Sequence, residues 1–206
     1  MIIYEWKRKA WHIGTGIIGM IVHFATGRDS FFSAKTLFLA SILMFSAEFI
    51  RLRSPVINKK VLTLLGELMR AKESSQISGM PFYALGVCVT FYLYPEKIAL
   101  IAISILIFVD PICSIIGKRF GKKKLYNNKT LEGSFAGFII SSIIILGFLT
   151  YYQGFNITVL LFSLITASLC TLSELFAIVD DNLSLPILSG ASLMIVNSGF
   201  KTIYFI

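Results

Sequence analysis

With 206 residues, 56% of them apolar and only 15% charged, at a mean hydropathy of +0.80, the chain is too apolar for a water-soluble domain, where roughly 25% of residues are charged. Its net charge of +8 would suit nucleic acid, but the cations gather between apolar runs, so their first use is membrane topology and nucleic acid is not an expected partner. Cys88, Cys113 and Cys170 all fall inside apolar runs without a CxxC pair, which makes them small hydrophobes rather than a metal or disulfide framework.

Segments of about 20 apolar residues cross a bilayer core, and shorter ones do so when their flanks snorkel. Seven spans are predicted, at about 10–26, 31–50, 80–95, 98–117, 131–152, 157–178 and 185–204. The first carries His12 and is followed by many others, which speaks against a cleaved signal peptide. The fold class is therefore an all-α, polytopic membrane bundle of about seven transmembrane helices, in one domain covering residues 1–206. With the N-terminus in the cytoplasm, fifteen Lys and Arg residues fall on the inner side. Arg28, Lys35, Lys97 and Lys201 fall outside. The positive-inside rule supports this orientation and an odd number of spans.

Between the second and third spans, about 54–79, "VINKKVLTLLGELMRAKE" puts Val56, Val61, Leu64, Leu65 and Leu68 near one helical face, with Lys59, Lys60, Glu67 and Arg70 largely elsewhere. That is a basic amphipathic helix on the cytoplasmic membrane surface, or a lid over a site. "NIT" at Asn156 matches a glycosylation sequon, a triplet common by chance and here in a very short outer loop.

Ionisable residues within apolar spans are costly and become candidates for function. Glu48, Asp110, Glu132 and Glu174 all lie near the cytoplasmic ends of their spans. His12 begins the first span, and Asp180, Asp181 and Asn182 fill the last cytoplasmic turn. Transporters more often place polar residues near the midplane, so convergence on one face favours an interfacial enzyme over a carrier. Each residue also has a plainer reading. Glu48 and Arg51, three apart, can simply pair; His12 can bond a carbonyl; His23 is structural; Asp180 and Asp181 can be solvated.

The linker "DPICSIIGKRFGKKKLYNNKTLEGS" begins with Asp110, a hard oxygen donor of the type that suits Mg²⁺. Gly117 and Gly121 would let the backbone approach an anion, and Lys118, Arg119 and Lys122 to Lys124 would neutralise it. Lys129 precedes Thr130, a plausible N-cap, so Gly133 and Ser134 lie in a helix start that can bind phosphate. Glu132 would join Asp110 on a metal or hold Lys129. These are the parts of a Mg²⁺–polyphosphate site over about 117–130, although GxxxxGK[ST] is absent. A purely topological role for the basic cluster stays open at this point.

The same residues resemble the CTP-dependent polyprenol kinase family, which includes dolichol, phytol and geranylgeraniol kinases and CTP-dependent diacylglycerol kinases. "RKAWH" (Arg8, Lys9, His12), "EFIR" (Glu48, Arg51), "SGMPFYALG", "DPICSIIGKRFGKKK" with Cys113 where alanine is usual, "KTLEGS" and "ELFAIVDDNLSLP" (Glu174, Asp180, Asp181, Asn182) resemble its motifs, in order and nearly end to end. CDP-diglyceride synthases share a D…G…GK…KT-EG segment, but their C-terminal His- and Arg-containing signature has no counterpart here, so the kinase reading stands ahead of the cytidylyltransferase.

The resemblance implies CTP as phosphoryl donor, Mg²⁺, and an isoprenoid lipid alcohol as acceptor at the cytoplasmic membrane face, the products being lipid monophosphate and CDP. The alternatives it leaves are diacylglycerol as acceptor, CDP-diacylglycerol or CDP-archaeol synthesis, and a non-catalytic carrier. It points to Asp110, Glu132 and Asp181 for the metal, to the basic glycine loop and Lys129–Ser134 for the phosphates, to His12 or Asp181 as base, and to Asn182 for the cytosine. Which alcohol is used and the oligomeric state are not written in any short motif.

Overall fold

A computed structural model describes residues 2–176 and 179–200. Lys201, the end of the seventh predicted span, and Ala177 and Ile178 of the "ELFAIVDDN" run lie outside the described residues. The described chain is helical throughout, with no strand beyond an isolated bridge between Lys124 and Thr130. The helices are α1 (Ile2–Ala25), α2 (Ser30–Arg53), α3 (Pro55–Leu65), α4 (Gly79–Leu93), α5 (Glu96–Phe120), α6 (Leu131–Gln153), α7 (Ile157–Leu175) and α8 (Asp181–Phe200).

Five of them, α2, α5, α6, α7 and α8, are long and apolar enough to cross a membrane. Helix α4 is a shorter apolar helix of 15 residues, and α1 runs 24 residues but carries Glu5, Lys7, Arg8 and Lys9 in its first turns. Without α3, these make up the expected seven. Helix α1 begins well before residue 10, so "RKAWH" is helical and projects beyond the apolar part of the same rod.

Helix α5 is the axis of the bundle. Ile98, Ile101, Ile105, Leu106 and Ile107 are fully buried, and α1, α4, α6 and α8 pack around it. The opposite is true of α2, which leans on α4 and leaves Phe31, Leu39, Leu43 and Phe49 exposed. With Ile18 and Ile21 of α1 and Ile143 of α6 these form an apolar exterior that water would not tolerate on a monomer but lipid would.

Helix ends follow local chemistry. Asp29, Ser54, Thr130 and Asn156 cap α2, α3, α6 and α7 by accepting a backbone N–H with the side chain; for Asn156, this is the role found for the sequon residue. Helix α3 ends at Leu65, and two 3₁₀ turns, Gly66–Leu68 and Ala71–Ser74, carry the chain onward. The amphipathic helix is thus shorter than the sequence predicts. Its Val56 and Leu64 stay exposed with no residue of α3 buried, as for a helix lying on a membrane surface.

Candidate functional site

A cavity of about 770 Å³ opens at one end of the bundle. It is bounded by the start of α1, the turns 66–72, the last third of α5, Lys129 and Thr130 with the start of α6, the end of α7 and the start of α8. Six cations line it, Arg8, Lys9, Arg70, Lys72, Lys118 and Lys129, against four carboxylates, Glu5, Asp110, Glu174 and Asp181. The excess of positive charge suits a polyanion that brings its own countercharge.

Its floor is set by α5. Pro111 removes one helical donor and crowds the preceding turn, and at this point the buried Asp110 accepts a hydrogen bond from Lys9 Nζ at 2.7 Å. Lys9 is itself 2% exposed, so α1 and α5 are joined by an ion pair withdrawn from water. One turn on, His12 Nε2 lies 3.1 Å from the Leu106 carbonyl. A carbonyl only accepts, so Nε2 holds the proton and Nδ1 is the nitrogen able to take one.

One wall is the Lys124–Thr130 hairpin. Leu125 N–H donates to Lys129 O, Leu131 N–H donates to Lys123 O, and Asn127 takes a left-handed φ of 54° at the tip. The hairpin delivers Lys129 into the cavity, where its ammonium donates to the backbone carbonyl and Oε1 of Glu174 and to Oδ1 of Asp181. Burial works against the Lys129 charge, but Glu174 and Asp181 outweigh it and raise its pKa above the ordinary lysine value. Thr130 Oγ1 then accepts from Gly133 N–H at 3.2 Å, starting α6 with its first-turn donors beside the cavity.

The turns over the cavity are held from below. Arg51, 2% exposed, donates to both oxygens of Glu48, to Asn58 Oδ1 and to the carbonyls of Glu73 and Gln76. Glu48 also accepts from Ser78 N–H. The pairing considered for Glu48 and Arg51 is present, but it pins residues 73–78 and does not line the cavity. Glu73 of the pinned segment accepts from the Arg70 N–H at 2.8 Å, and the Arg70 guanidinium donates to Asp180 Oδ2 at 3.0 Å. Burial opposes the Arg70 charge, and Asp180, followed by Asp110 and Glu73, more than restores it.

Of the predicted site residues, the cavity gathers Arg8, Lys9, Asp110, Gly117, Lys118, Lys129, Thr130, Gly133, Ser134, Glu174 and Asp181. Several expectations need correction. Gly121 does not line the cavity: a Cβ there would lie 2.5 Å from Thr130 Cγ2, so its smallness seats the hairpin on the end of α5. Gly117 and Gly133 do line the cavity, yet the reason for glycine is also packing, since Cβ atoms there would come within 2.8 Å of Thr130 Oγ1 and 2.9 Å of the Cys113 carbonyl.

Arg119 lies over Phe120, and Lys122, Lys123 and Lys124 are exposed outside the cavity. Glu132 neither pairs with Lys129 nor lines the cavity beside Asp110; its carboxylate faces its own backbone N–H first and then those of Lys122 and Lys123, with Oε2 left buried and without a hydrogen-bond partner. Asn182 is buried and donates to the Gly79 carbonyl, tying α8 to α4, so it does not reach the cavity as a base reader. Asp180 caps α8 and holds Arg70. His12 lies below the cavity and does not line it.

The metal set is changed accordingly. Among the described residues, no group of three or more His, Cys, Asp and Glu side chains gathers as a metal cage. Three carboxylates nevertheless share the cavity, Asp110, Glu174 and Asp181. Glu174 Oε2 is buried with no hydrogen-bond partner other than the adjacent Cys113 thiol. Hard oxygens with an unsatisfied member fit Mg²⁺, which keeps several waters and is usually held by one or two carboxylates together with substrate phosphates.

Sequence reasoning missed Glu5, Arg70, Lys72 and Ser114. Glu5 accepts from Ser114 Oγ and pairs with Lys118 at 2.6 Å and with Arg8, and its spacing from Arg8 was the available signal. Cys113, read as a plain small hydrophobe, borders the cavity. A Cβ on Gly137 would fall 2.5 Å from its Sγ, so the sulfur in the usual alanine place is accommodated by the glycine opposite.

Comparison with known proteins points the same way. The chain is 28% identical to CTP-dependent diacylglycerol kinase 1 of Schizosaccharomyces pombe over 138 residues, 66% of this chain and 63% of that protein. It is 27% identical to CTP-dependent diacylglycerol kinase 1 of Saccharomyces cerevisiae, over 96% of this chain and 75% of the yeast protein. An uncharacterised protein of Rickettsia prowazekii is 29% identical over 189 residues, 89% of this chain and 90% of that one. No family model matches, and no solved structure matches significantly. CTP-dependent diacylglycerol kinases are thus homologues of this chain, which spans about two thirds to three quarters of the length of the yeast kinases. None of these relatives is named as a polyprenol or phytol kinase.

Proposed function

We propose that the chain is a CTP-dependent lipid kinase that transfers the γ-phosphoryl group of CTP to the hydroxyl of a membrane lipid alcohol, at the cytoplasmic face of a cell membrane. The observation that carries this reading is the convergence of Lys9–Asp110, Lys129 and the Thr130-capped start of α6 on one cation-rich cavity at the end of a membrane bundle. Diacylglycerol is the acceptor favoured by the kinases the chain resembles. An isoprenoid alcohol is the second reading, favoured by the order of motifs from "RKAWH" to "KTLEGS".

In this reading Lys129, Lys118 and Arg70 neutralise the triphosphate while first-turn N–H groups of α6 donate hydrogen bonds to its oxygens. One or two of the cavity carboxylates Asp110, Glu174 and Asp181 would hold Mg²⁺ together with the substrate phosphates, and the ion would neutralise phosphate charge. The lipid hydroxyl oxygen forms the new bond to Pγ, the bond from Pγ to the β–γ bridging oxygen breaks, and CDP leaves. The hydroxyl proton passes to a base, for which Asp181 in the cavity and His12 Nδ1 just beneath it are the two groups in place. Lys9 orients Asp110 through its hydrogen bond, and Arg51 with Glu48 fixes the turns that hold Arg70 overhead.

The test offers purified protein in detergent micelles CTP, Mg²⁺ and, separately, diacylglycerol, geranylgeraniol, phytol and a polyprenol. A phosphorylated lipid formed with stoichiometric CDP supports the reading, and the accepting lipid decides between its two branches. CTP left intact with every alcohol contradicts it.

A further inference from the structure

We propose that a second, apolar cavity between α1, α2 and α4 receives one hydrocarbon chain of the acceptor lipid and sets the position of its hydroxyl; this deepens the kinase reading and rests on it. The cavity measures about 210 Å³, room for roughly seven water-sized groups, which suits one slender chain and not two side by side. Its α1 face is cut from small residues, with Gly16 and Gly19 set against Leu37 of α2 and Tyr83, Val87 and Phe91 of α4. A Cβ at Gly16 would lie 2.5 Å from both the Tyr83 hydroxyl and Ile107 Cγ1, whereas one at Gly19 would meet nothing within 4 Å. Glycine is therefore needed at 16 for packing, whereas Gly19, exposed on the helix surface, borders the open mouth of the groove.

Nearness to the candidate site along α1 identifies the occupant. The lining runs along α1 from Thr15 to Thr26, about 16 Å at 1.5 Å per residue. Two turns before it, the same helix puts Arg8 and Lys9 in the phosphate cavity. Between the two stands His12, its ring edge-on to Tyr83 at 4.7 Å between centroids. The Tyr83 hydroxyl at the head of the groove is buried and has no hydrogen-bond partner. A lipid lying in the groove would give that hydroxyl a partner in its polar head and carry its own hydroxyl past His12 towards Asp110. Lipid outside is as apolar as the groove, so little hydrophobic energy is gained by entry; the gain is orientation, where small misplacement can cost about a hundredfold in rate.

The experiment uses the full-length protein in micelles and Gly19→Leu, which fills open space and raises helix propensity, beside Gly147→Leu in α6, whose added side chain also meets nothing and lies outside both cavities. A diacylglycerol carrying a diazirine in its acyl chain is photolysed, and labelled peptides are mapped. Wild type and Gly147→Leu are expected to label within 15–26 and 83–91, with at least a tenfold loss in Gly19→Leu. Turnover of a long-chain diacylglycerol is expected to fall ten- to a hundredfold in kcat/KM in Gly19→Leu, with the KM for CTP unchanged. Turnover of dibutyrylglycerol, whose chains end above Gly19, is expected to change less than twofold. Labelling unaffected by Gly19→Leu, or spread evenly over lipid-facing peptides, overturns the groove whatever the turnover. Groove labelling without phosphorylation of any alcohol leaves the groove standing and overturns the kinase reading instead.

Discussion

Replacing Lys129 by methionine keeps much of the side chain's bulk and removes its charge. The ammonium has three acceptors, the carbonyl and Oε1 of Glu174 and Oδ1 of Asp181, and its side chain is 18% exposed, against 7% for Glu174 and 28% for Asp181. Breaking a buried pair by deleting one partner costs about 3–5 kcal/mol. Because Asp181 retains contact with water, the lower end, about 3 kcal/mol, is expected for stability. Turnover should suffer separately, since losing one preorganised donor to a developing phosphoryl charge costs about 10²–10³ in kcat.

Lys129→Arg separates the two effects. It retains the charge for Glu174, so unfolding in detergent should stay near wild type, while the altered reach should still cost about tenfold in kcat. The pH dependence has a definite sign. The folded-state pKa of Lys129 is raised, so its contribution is complete below the ordinary lysine value near 10.4 and is lost only as pH rises through the higher folded value. Unfolding temperatures should therefore show no Lys129-linked decline between about pH 6 and 9. Initial rates of γ-phosphoryl transfer and thermal unfolding check both points. Lys129→Met with kcat within threefold of wild type would refute the role given to this residue.

Asp110→Asn should destabilise by about 3–5 kcal/mol by leaving Lys9 buried without its partner, whereas Lys9→Met combined with Asp110→Leu should regain most of that stability and none of the activity, as a double-mutant cycle in melting and turnover would show. Arg51→Leu strands the carbonyls of Glu73 and Gln76; faster tryptic cleavage at Arg70 and Lys72 and a higher KM for CTP are expected, and unchanged cleavage would contradict the anchoring role. Gly133→Ala sets a Cβ 2.9 Å from the Cys113 carbonyl and should cost about 1–3 kcal/mol by overpacking, read as a lowered unfolding temperature. Chelation of Mg²⁺ should abolish turnover and leave the thermal unfolding of the nucleotide-free protein unchanged.

The helices were legible because lipid imposes long apolar runs and capping residues punctuate them; Thr130 before "LEGS" is one such case, and the observed helix begins one residue later. The cavity was legible where a residue is its own signal, as for a carboxylate at position 110 or a lysine at 129. It was not legible where the role depends on a distant partner. Arg51 is spaced to pair with Glu48, yet two of its five hydrogen bonds go to carbonyls more than twenty residues away. Gly121 and Gly117 have the look of a phosphate loop because close packing and anion approach both call for a missing Cβ. Arg70 enters the site only because α3 breaks at Gly66, a turn that the amphipathic pattern runs straight through. The groove beside Gly19 left no trace for a simpler reason: an open space between three helices is not a property of any one of them.

The measurement that bears most directly on the central claim supplies purified wild-type protein and Asp110→Asn with Mg²⁺ and CTP labelled at either the α or the γ phosphate, in micelles containing diacylglycerol, an isoprenoid alcohol or phosphatidic acid. The expected result is γ label in the lipid extract of an alcohol, no α label in any lipid, and loss of transfer in Asp110→Asn. Alpha label moving into phosphatidic acid, with pyrophosphate released, would contradict it and make the chain a cytidylyltransferase.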